Sequence, residues 1–216
     1  MKVLVACEES QTVCKAFREL GHEAYSCDIV DCSGGHPEWH IKDDAIKVIY
    51  REHWDLVIAH PPCTFLSIAG ACNIPKDPSR IEKGFEAKEF FMEFVNFATL
   101  TGTPTAIENP INMKRFNLPP YTQLIRAWQL GGVGEKPICL WLYNLPKLKP
   151  TVQEKPLVEM CVWTHKATGQ RKSCSKWYNT DTQNHSKHRS KTFEGVAKAM
   201  AEQWGNTTYS EENNND

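Results

Sequence analysis

Cys63 closes the segment His60-Pro61-Pro62-Cys63, which follows the apolar run Trp54-Asp55-Leu56-Val57-Ile58-Ala59. Two consecutive prolines fix the backbone and remove two amide donors, so the turn is stiff. A thiol on a stiff turn at the end of a buried strand is placed to act as a nucleophile in its thiolate form, from an ordinary thiol pKa of about 8.5. The alternative is a plain strand stop with the thiol packed inside, since unpaired cysteine is among the most buried residue types. Two further segments carry acids at strand ends. Glu108-Asn109-Pro110 follows Thr105-Ala106-Ile107, and Asp28 closes Ala24-Tyr25-Ser26-Cys27. A buried carboxyl can hold or give a proton, or it can simply cap a helix.

The elements that must position these residues alternate. Val3-Leu4-Val5-Ala6 reads as a first buried strand. Ser10 is placed to cap a helix with Val13, Cys14, Phe17 and Leu20 on one face, stopped by Gly21. Residues 29–40 read as a loop, and Asp43 or Asp44 starts a short helix through Ile46, Val48 and Ile49. The longest helix spans about Ile81 to Leu100, with Phe90, Phe91, Phe94, Val95 and Ala98 as its apolar stripe. Tyr121 to Leu130 reads as helix, Ile138 to Leu142 as strand, residues 143–192 as loop, and Thr192 or Phe193 to Trp204 as the final helix. Strands alternating with helices imply an α/β fold with a doubly wound, mostly parallel, Rossmann-like sheet. Ligands of such sheets bind beyond the carboxyl ends of the strands. The expected organisation is a catalytic core over 1–142, a loop-rich basic and aromatic segment over 143–191, a helix over 192–205 that returns to the core, and a disordered tail over 206–216.

Composition narrows the class. A chain of 216 residues with 41% apolar and 24% charged residues suits one globular domain with at most a small appendage. Net charge is -1, so any attraction to nucleic acid must come from a local patch. No apolar run is long enough to cross a bilayer, and the N-terminal segment reads as a strand, not an export signal. Nine scattered cysteines without export argue for a reducing compartment and unpaired thiols, which implies a soluble, cytoplasmic protein.

The flanks of Cys63 sharpen its role. Pro61-Pro62-Cys63-Thr64-Phe65-Leu66-Ser67-Ile68-Ala69-Gly70 resembles the catalytic segment of the DNA cytosine-5 methyltransferases, Pro-Pro-Cys-Gln-x-Phe-Ser-x-Ala-Gly. Asp77-Pro78-Ser79-Arg80, Glu89-Phe90-Phe91-Met92-Glu93-Phe94-Val95 and Ile107-Glu108-Asn109-Pro110 resemble later family segments, in the family's order. The resemblance covers roughly residues 3–142 and, more loosely, Arg189 to Trp204. It implies methyl transfer from S-adenosylmethionine to C5 of cytosine in DNA. Cys63 would add to C6, Glu108 would meet the ring at N3, and Asn109 would orient Glu108 or the turn. Asp28 would hold the ribose hydroxyls of the cofactor, and Asp43 or Asp44 its adenine amine. Cys7, Glu8, Glu9, Ser10 and Pro61 complete the implied cofactor side, and Ser67, Lys136 and Arg189 the implied substrate side.

Two departures stand out. The family's first loop carries Phe-x-Gly-x-Gly, whereas Ala6-Cys7-Glu8-Glu9-Ser10-Gln11 has no glycine. The family's separate target-recognition domain is missing, and only about Asn144 to Lys191 stands in its place. That stretch is basic and aromatic, with Trp163, Lys166, Arg171, Lys172, Trp177, Tyr178 and Arg189, which suits either a small nucleic-acid grip or a solvated loop. The departures keep two other readings open. One is methylation of a free pyrimidine nucleotide or RNA. The other is a nucleic-acid-binding or decoy protein without catalysis. The compact size points to a phage or mobile-element setting. Cys161, His165, Cys174, His185 and His188 are residue types that suit zinc, but their spacings match no strong pattern; a zinc site and a solvated basic loop both stay open, and no metal is assigned. Asn117-Leu118-Pro119-Pro120-Tyr121 departs by one residue from the Asn-Pro-Pro-Tyr of amino-methyltransferases and reads as a proline-ended loop.

Overall fold

A computed structural model describes residues 1–132, 135–157, 160–164, 169–175 and 191–206. A seven-stranded sheet forms the centre, built from β1 (Lys2–Ala6), β2 (Glu23–Asp28), β3 (His40–Lys42), β4 (Leu56–Ala59), β5 (Thr105–Asn109), β6 (Gln123–Arg126) and β7 (Pro137–Tyr143). Their order is β3-β2-β1-β4-β5-β7-β6. β3, β2, β1, β4 and β5 pair in parallel, and β7 runs antiparallel to both β5 and β6. The first five positions follow the order of a doubly wound, Rossmann-like sheet, with the reversed β7 inserted before β6. β1 and β4 are buried on both faces, as their unbroken apolar runs require.

Helices cover both faces. α1 (Thr12–Glu19) and α4 (Glu194–Gly205) lie on one, where Val13, Phe17, Val196, Met200 and Trp204 pack against Val3, Val5 and Ile58. α2 (Ala45–Arg51) and α3 (Arg80–Thr101) lie on the other, where Val48, Ile49, Phe91, Phe94 and Phe97 pack against Leu4, Val57 and Ile107. The indole N–H of Trp204 donates to the carbonyl of Pro146 at 3.0 Å, fastening the chain after β7 to α4. Among the described residues, no helix is long and apolar enough to cross a membrane.

Several expectations need correction. Tyr121 to Leu130 is not a helix but β6 followed by a short 3-10 turn, Ala127–Leu130. Leu124 and Ile125 pack on opposite faces of the sheet, the period-two pattern of a strand, and pairing with β7 overrides helix propensity. The loop expected over 29–40 ends in β3, because His40 pairs in register with Ser26. Leu20 lies just past α1 and is exposed, not part of its inner face. Within the stretch read as loop, β8 (Met160–Thr164) and β9 (Arg171–Ser175) form an antiparallel hairpin that pairs Cys161 with Cys174 in register. The expected tail beyond 206 lies outside the described residues.

α3 packs tightly against the segment that follows β5. A Cβ on Gly84 would lie 2.1 Å from Cζ of Phe116, a fully buried ring at the end of the segment that follows β5. Gly84→Ala gains up to about 1 kcal/mol of helix propensity. It also overpacks a rigid ring, at about 1–3 kcal/mol. Urea unfolding is expected to show a net loss of stability; an unchanged or stabilised variant would contradict this packing.

Candidate active site

Strand order reverses between β2-β1 and β4-β5, so a crevice opens at the carboxyl ends of β1 and β4. The His60-Pro61-Pro62-Cys63 turn leaves β4 at that crevice. The backbone N–H of His60 extends the ladder by donating to the carbonyl of Ala6 at 2.9 Å. Pro61 is buried and Cys63 is partly exposed. The carbonyl of Cys63 accepts from the amides of Leu66 and Ser67 at 3.1 and 2.9 Å, closing one turn behind the thiol. Asn109, at the end of the adjacent β5, donates from Nδ2 to the carbonyl of Pro61 at 2.9 Å in a buried contact. The neighbouring Glu108 thereby lies beside the same turn, and its Oε2 is 3.2 Å from Nδ1 of His60.

Burial alone would push the Glu108 carboxyl up. The His60 hydrogen bond and the nearby charges of Lys136 and His60 outweigh it and hold the carboxyl below the ordinary carboxylate range. Lys136 precedes β7, so the structure brings this expected substrate residue to the same end of the sheet. The thiols of Cys14 and Cys27 are pushed up to about 12, and that of Cys139 to about 11, mainly by burial. These three are buried core residues that stay protonated at neutral pH.

The loop after Cys63 is clamped on two sides. Ile68 donates to Ile111 at 2.9 Å and Met113 to Leu66 at 2.8 Å, with Ser67 bridged to Asn112. Ser67 is buried here. The Arg80 guanidinium donates to the carbonyl of Thr64 at 3.0 Å and covers the Phe65 ring at 4.6 Å. Beside this loop, Ile68, Ala71, Ile74, Met113, Lys114 and Arg115 line an open groove with a cationic rim.

The glycine-free first loop solves its geometry in another way. Cys7 and Gln11 take left-handed backbone, at φ 59 and 57 degrees, where glycine is usual. Gln11 is locked there, since its side chain donates to the carbonyl of His36 at 2.7 Å and accepts from the His36 amide at 3.0 Å. The close approach is supplied from outside the loop: a Cβ on Gly34 would meet the Ser10 carbonyl at 2.6 Å. Glu9 accepts from the Ser33 amide at 2.8 Å through its carbonyl. Glu8 is buried, and its two carboxylate oxygens accept from the amides of Val13 and Cys14 at 2.6 and 3.1 Å. Glu8, and not Ser10, therefore satisfies the start of α1; the Ser10 hydroxyl pairs with that of Thr12 at 3.1 Å. Burial pushes the Glu8 carboxyl up, against the pull of the His60 charge and the two amides.

The remaining expected cofactor residues separate by role. Asp44 caps α2, accepting from the Ile46 amide at 2.9 Å. Asp43 accepts from the amide of Asp44 and pairs with Arg51 at 3.2 Å. Asp28 ends β2 half-buried, and its Oδ1 accepts from the Val30 amide at 3.3 Å. Burial, and after it the charges of Asp28, Cys27 and Asp44, push the Cys7 thiol up. Arg189 lies outside the described residues.

No protein-family model matches the chain, and no curated protein matches it. The site therefore stands on its geometry. Sequence reasoning gave no role to His60, Gln11 or Gly34. His60 was visible as a polar residue directly after a fully buried strand. The partnership of Gly34 with the first loop left no local signal.

The Glu108 carboxyl is held lower in the folded protein than in the unfolded chain. Its contribution to stability is complete above the unfolded-state value of 4.5 and is lost as pH falls through the lower folded value. Urea unfolding from about pH 7 to about pH 3 is expected to show wild-type stability falling relative to Glu108→Gln on acidification. A difference that stays flat or grows toward acid would contradict the depressed carboxyl.

Proposed function

We propose that this protein methylates C5 of cytosine in DNA, with S-adenosylmethionine as donor and Cys63 as covalent nucleophile. The observation that carries the reading is the meeting of the Cys63 turn and Glu108, from adjacent parallel strands, through the buried Asn109 to Pro61 hydrogen bond at 2.9 Å. A thiol and a carboxyl carried on two segments that are tied together at the switch point of a doubly wound sheet suit nucleophilic addition with charge stabilisation.

Cytosine C5 is a poor nucleophile. Addition of the Cys63 sulfur to C6 breaks the C5–C6 double bond and moves an electron pair onto C5 and the ring. Glu108, held as an anion in the free protein, favours a proton on N3 and so offsets the charge that develops there. Once C5 has gained a methyl group, loss of the C5 proton to solvent water and departure of the Cys63 sulfur as thiolate would restore the C5–C6 double bond. A base stacked inside a duplex is shielded from such attack, so the target leaves the stack. The cationic rim of Lys114 and Arg115 and the Arg80-covered Phe65 beside the turn suit the phosphate backbone around an extruded base.

One residue of the crevice supports a donor at its ribose. Asp28 ends β2, the position from which an acid holds ribose hydroxyls in a doubly wound sheet. When bound, S-adenosylmethionine supplies an electrophilic methyl group. The first loop favours a second reading, a nucleic-acid-binding protein with no donor. Both oxygens of Glu8 are engaged by α1, and Gly34 presses on Ser10 and Gln11.

Transfer of labelled methyl to duplex DNA, single-stranded DNA, RNA and free nucleotides separates these readings. The expected outcome is transfer to DNA cytosine that drops by at least about a thousandfold in Cys63→Ala. Equal rates in both proteins would remove Cys63 as nucleophile. Activity on nucleotides or RNA alone would replace DNA as substrate. DNA binding without detectable donor binding in calorimetry would favour the non-catalytic reading.

A further inference from the structure

His60 has no part in the chemistry above, yet it hydrogen-bonds Glu108. Its imidazole is only 11% exposed, the Glu108 side chain 15%, and Nδ1 lies 3.2 Å from Oε2. A carboxylate only accepts, so Nδ1 carries the hydrogen of this contact. The other polar atom of each side chain, His60 Nε2 and Glu108 Oε1, is buried with no partner among the described residues. Buried polar atoms are almost always satisfied, so a paired couple with one unsatisfied atom at each end points to a ligand that completes it.

The groups around the couple are few. Glu8, from the loop after β1, feels the His60 charge. Lys136, ahead of β7, acts on Glu108, and Cys139, on β7, feels it. Cys63 stands three residues along the same turn as His60.

We propose that His60 is a positioning residue that sets base specificity: by holding Oε2 of Glu108 it presents Oε1 as a fixed acceptor to the amino-bearing edge of a pyrimidine. The proposal rests on the methyl-transfer reading of this site. Cytosine carries an exocyclic amino donor at C4, where thymine carries a carbonyl acceptor, as uracil does. An anionic oxygen accepts from the amine and repels the carbonyl. A carboxyl that is loose or protonated can rotate and donate, so it discriminates less. Without His60, only Lys136 opposes burial, and the Glu108 carboxyl moves up.

Three variants test this. His60→Asn keeps an N–H donor at the place of Nδ1, His60→Gln moves the donor out by one bond, and His60→Ala removes it. Glu108 is followed by carboxyl carbon NMR on glutamate-labelled protein, with its signal identified by its loss in Glu108→Gln. Rates are measured on oligonucleotides carrying cytosine or uracil at the target. The Ala and Gln variants are expected to lose about tenfold to a hundredfold in kcat, with the KM for the donor within about twofold, and to raise the Glu108 pKa. The Asn variant is expected to recover most of the rate and of the cytosine preference. An unchanged Glu108 titration in His60→Ala, or an Asn variant no better than Gln, would overturn the proposal. If the Ala variant does not fold, the Asn and Gln comparison decides alone. The NMR titration needs no turnover, so an inactive wild type would sink the methyl-transfer reading while His60 is still judged on the carboxyl.

Discussion

The hydrogen bond from Asn109 to the carbonyl of Pro61 is the constraint on which the rest of the site depends. Pro61 and Pro62 remove two amide donors from the turn after β4, so beyond the His60 N–H, which extends the ladder to Ala6, the proline stretch cannot be fastened through its own N–H groups. What remains are carbonyls. That of Cys63 is taken by the amides of Leu66 and Ser67, and that of Pro61 is taken from the neighbouring strand. One side chain therefore ties the turn beyond β4 to the end of β5, past the last ladder pair, Ala59 with Ile107. It also fixes Cys63 relative to Glu108, because Glu108 and Asn109 are consecutive in β5. Leaving a buried acceptor such as this unpaired costs about 1–3 kcal/mol, a large fraction of a domain's net stability.

The same economy appears at the first loop. Left-handed backbone at Cys7 and Gln11 carries a cost of about 1–2 kcal/mol per residue for side chains other than glycine. The fold offsets it with the two hydrogen bonds between Gln11 and His36, and with Gly34 pressed against Ser10. Glu8 closes the start of α1 from inside the loop. The loop is thus held from two directions without a glycine of its own. That rigidity is compatible with a donor site bounded by Asp28, and equally with a loop that serves only the fold.

The parallel core was legible in the sequence because Val3 to Ala6 of β1 and the whole of β4 are unbroken apolar runs that only a doubly covered sheet can bury. That Asp43 or Asp44 starts α2 was legible for a local reason, short acids just before an apolar period, and the structure gives the cap to Asp44. β6 was misread as helix because four residues carry too little periodicity, and its identity is set by pairing with β7. The capping of α1 by Glu8 was hidden because a carboxylate reaching forward several residues resembles no standard cap. In the site, Cys63, Glu108 and Asn109 were visible from their flanks. The His60 to Glu108 contact spans 48 residues of sequence and had no signature in either segment.

The central claim is that Cys63 bonds covalently to a cytosine during turnover. A DNA strand with 5-fluorocytosine at the target tests it directly, because the C5 fluorine leaves no proton to lose and the Cys63 sulfur cannot then be eliminated. Intact-protein mass spectrometry after incubation with this strand and S-adenosylmethionine is predicted to show one adduct, mapped to the peptide containing Cys63. An adduct on another cysteine, or none while unmodified DNA is methylated, would contradict the account.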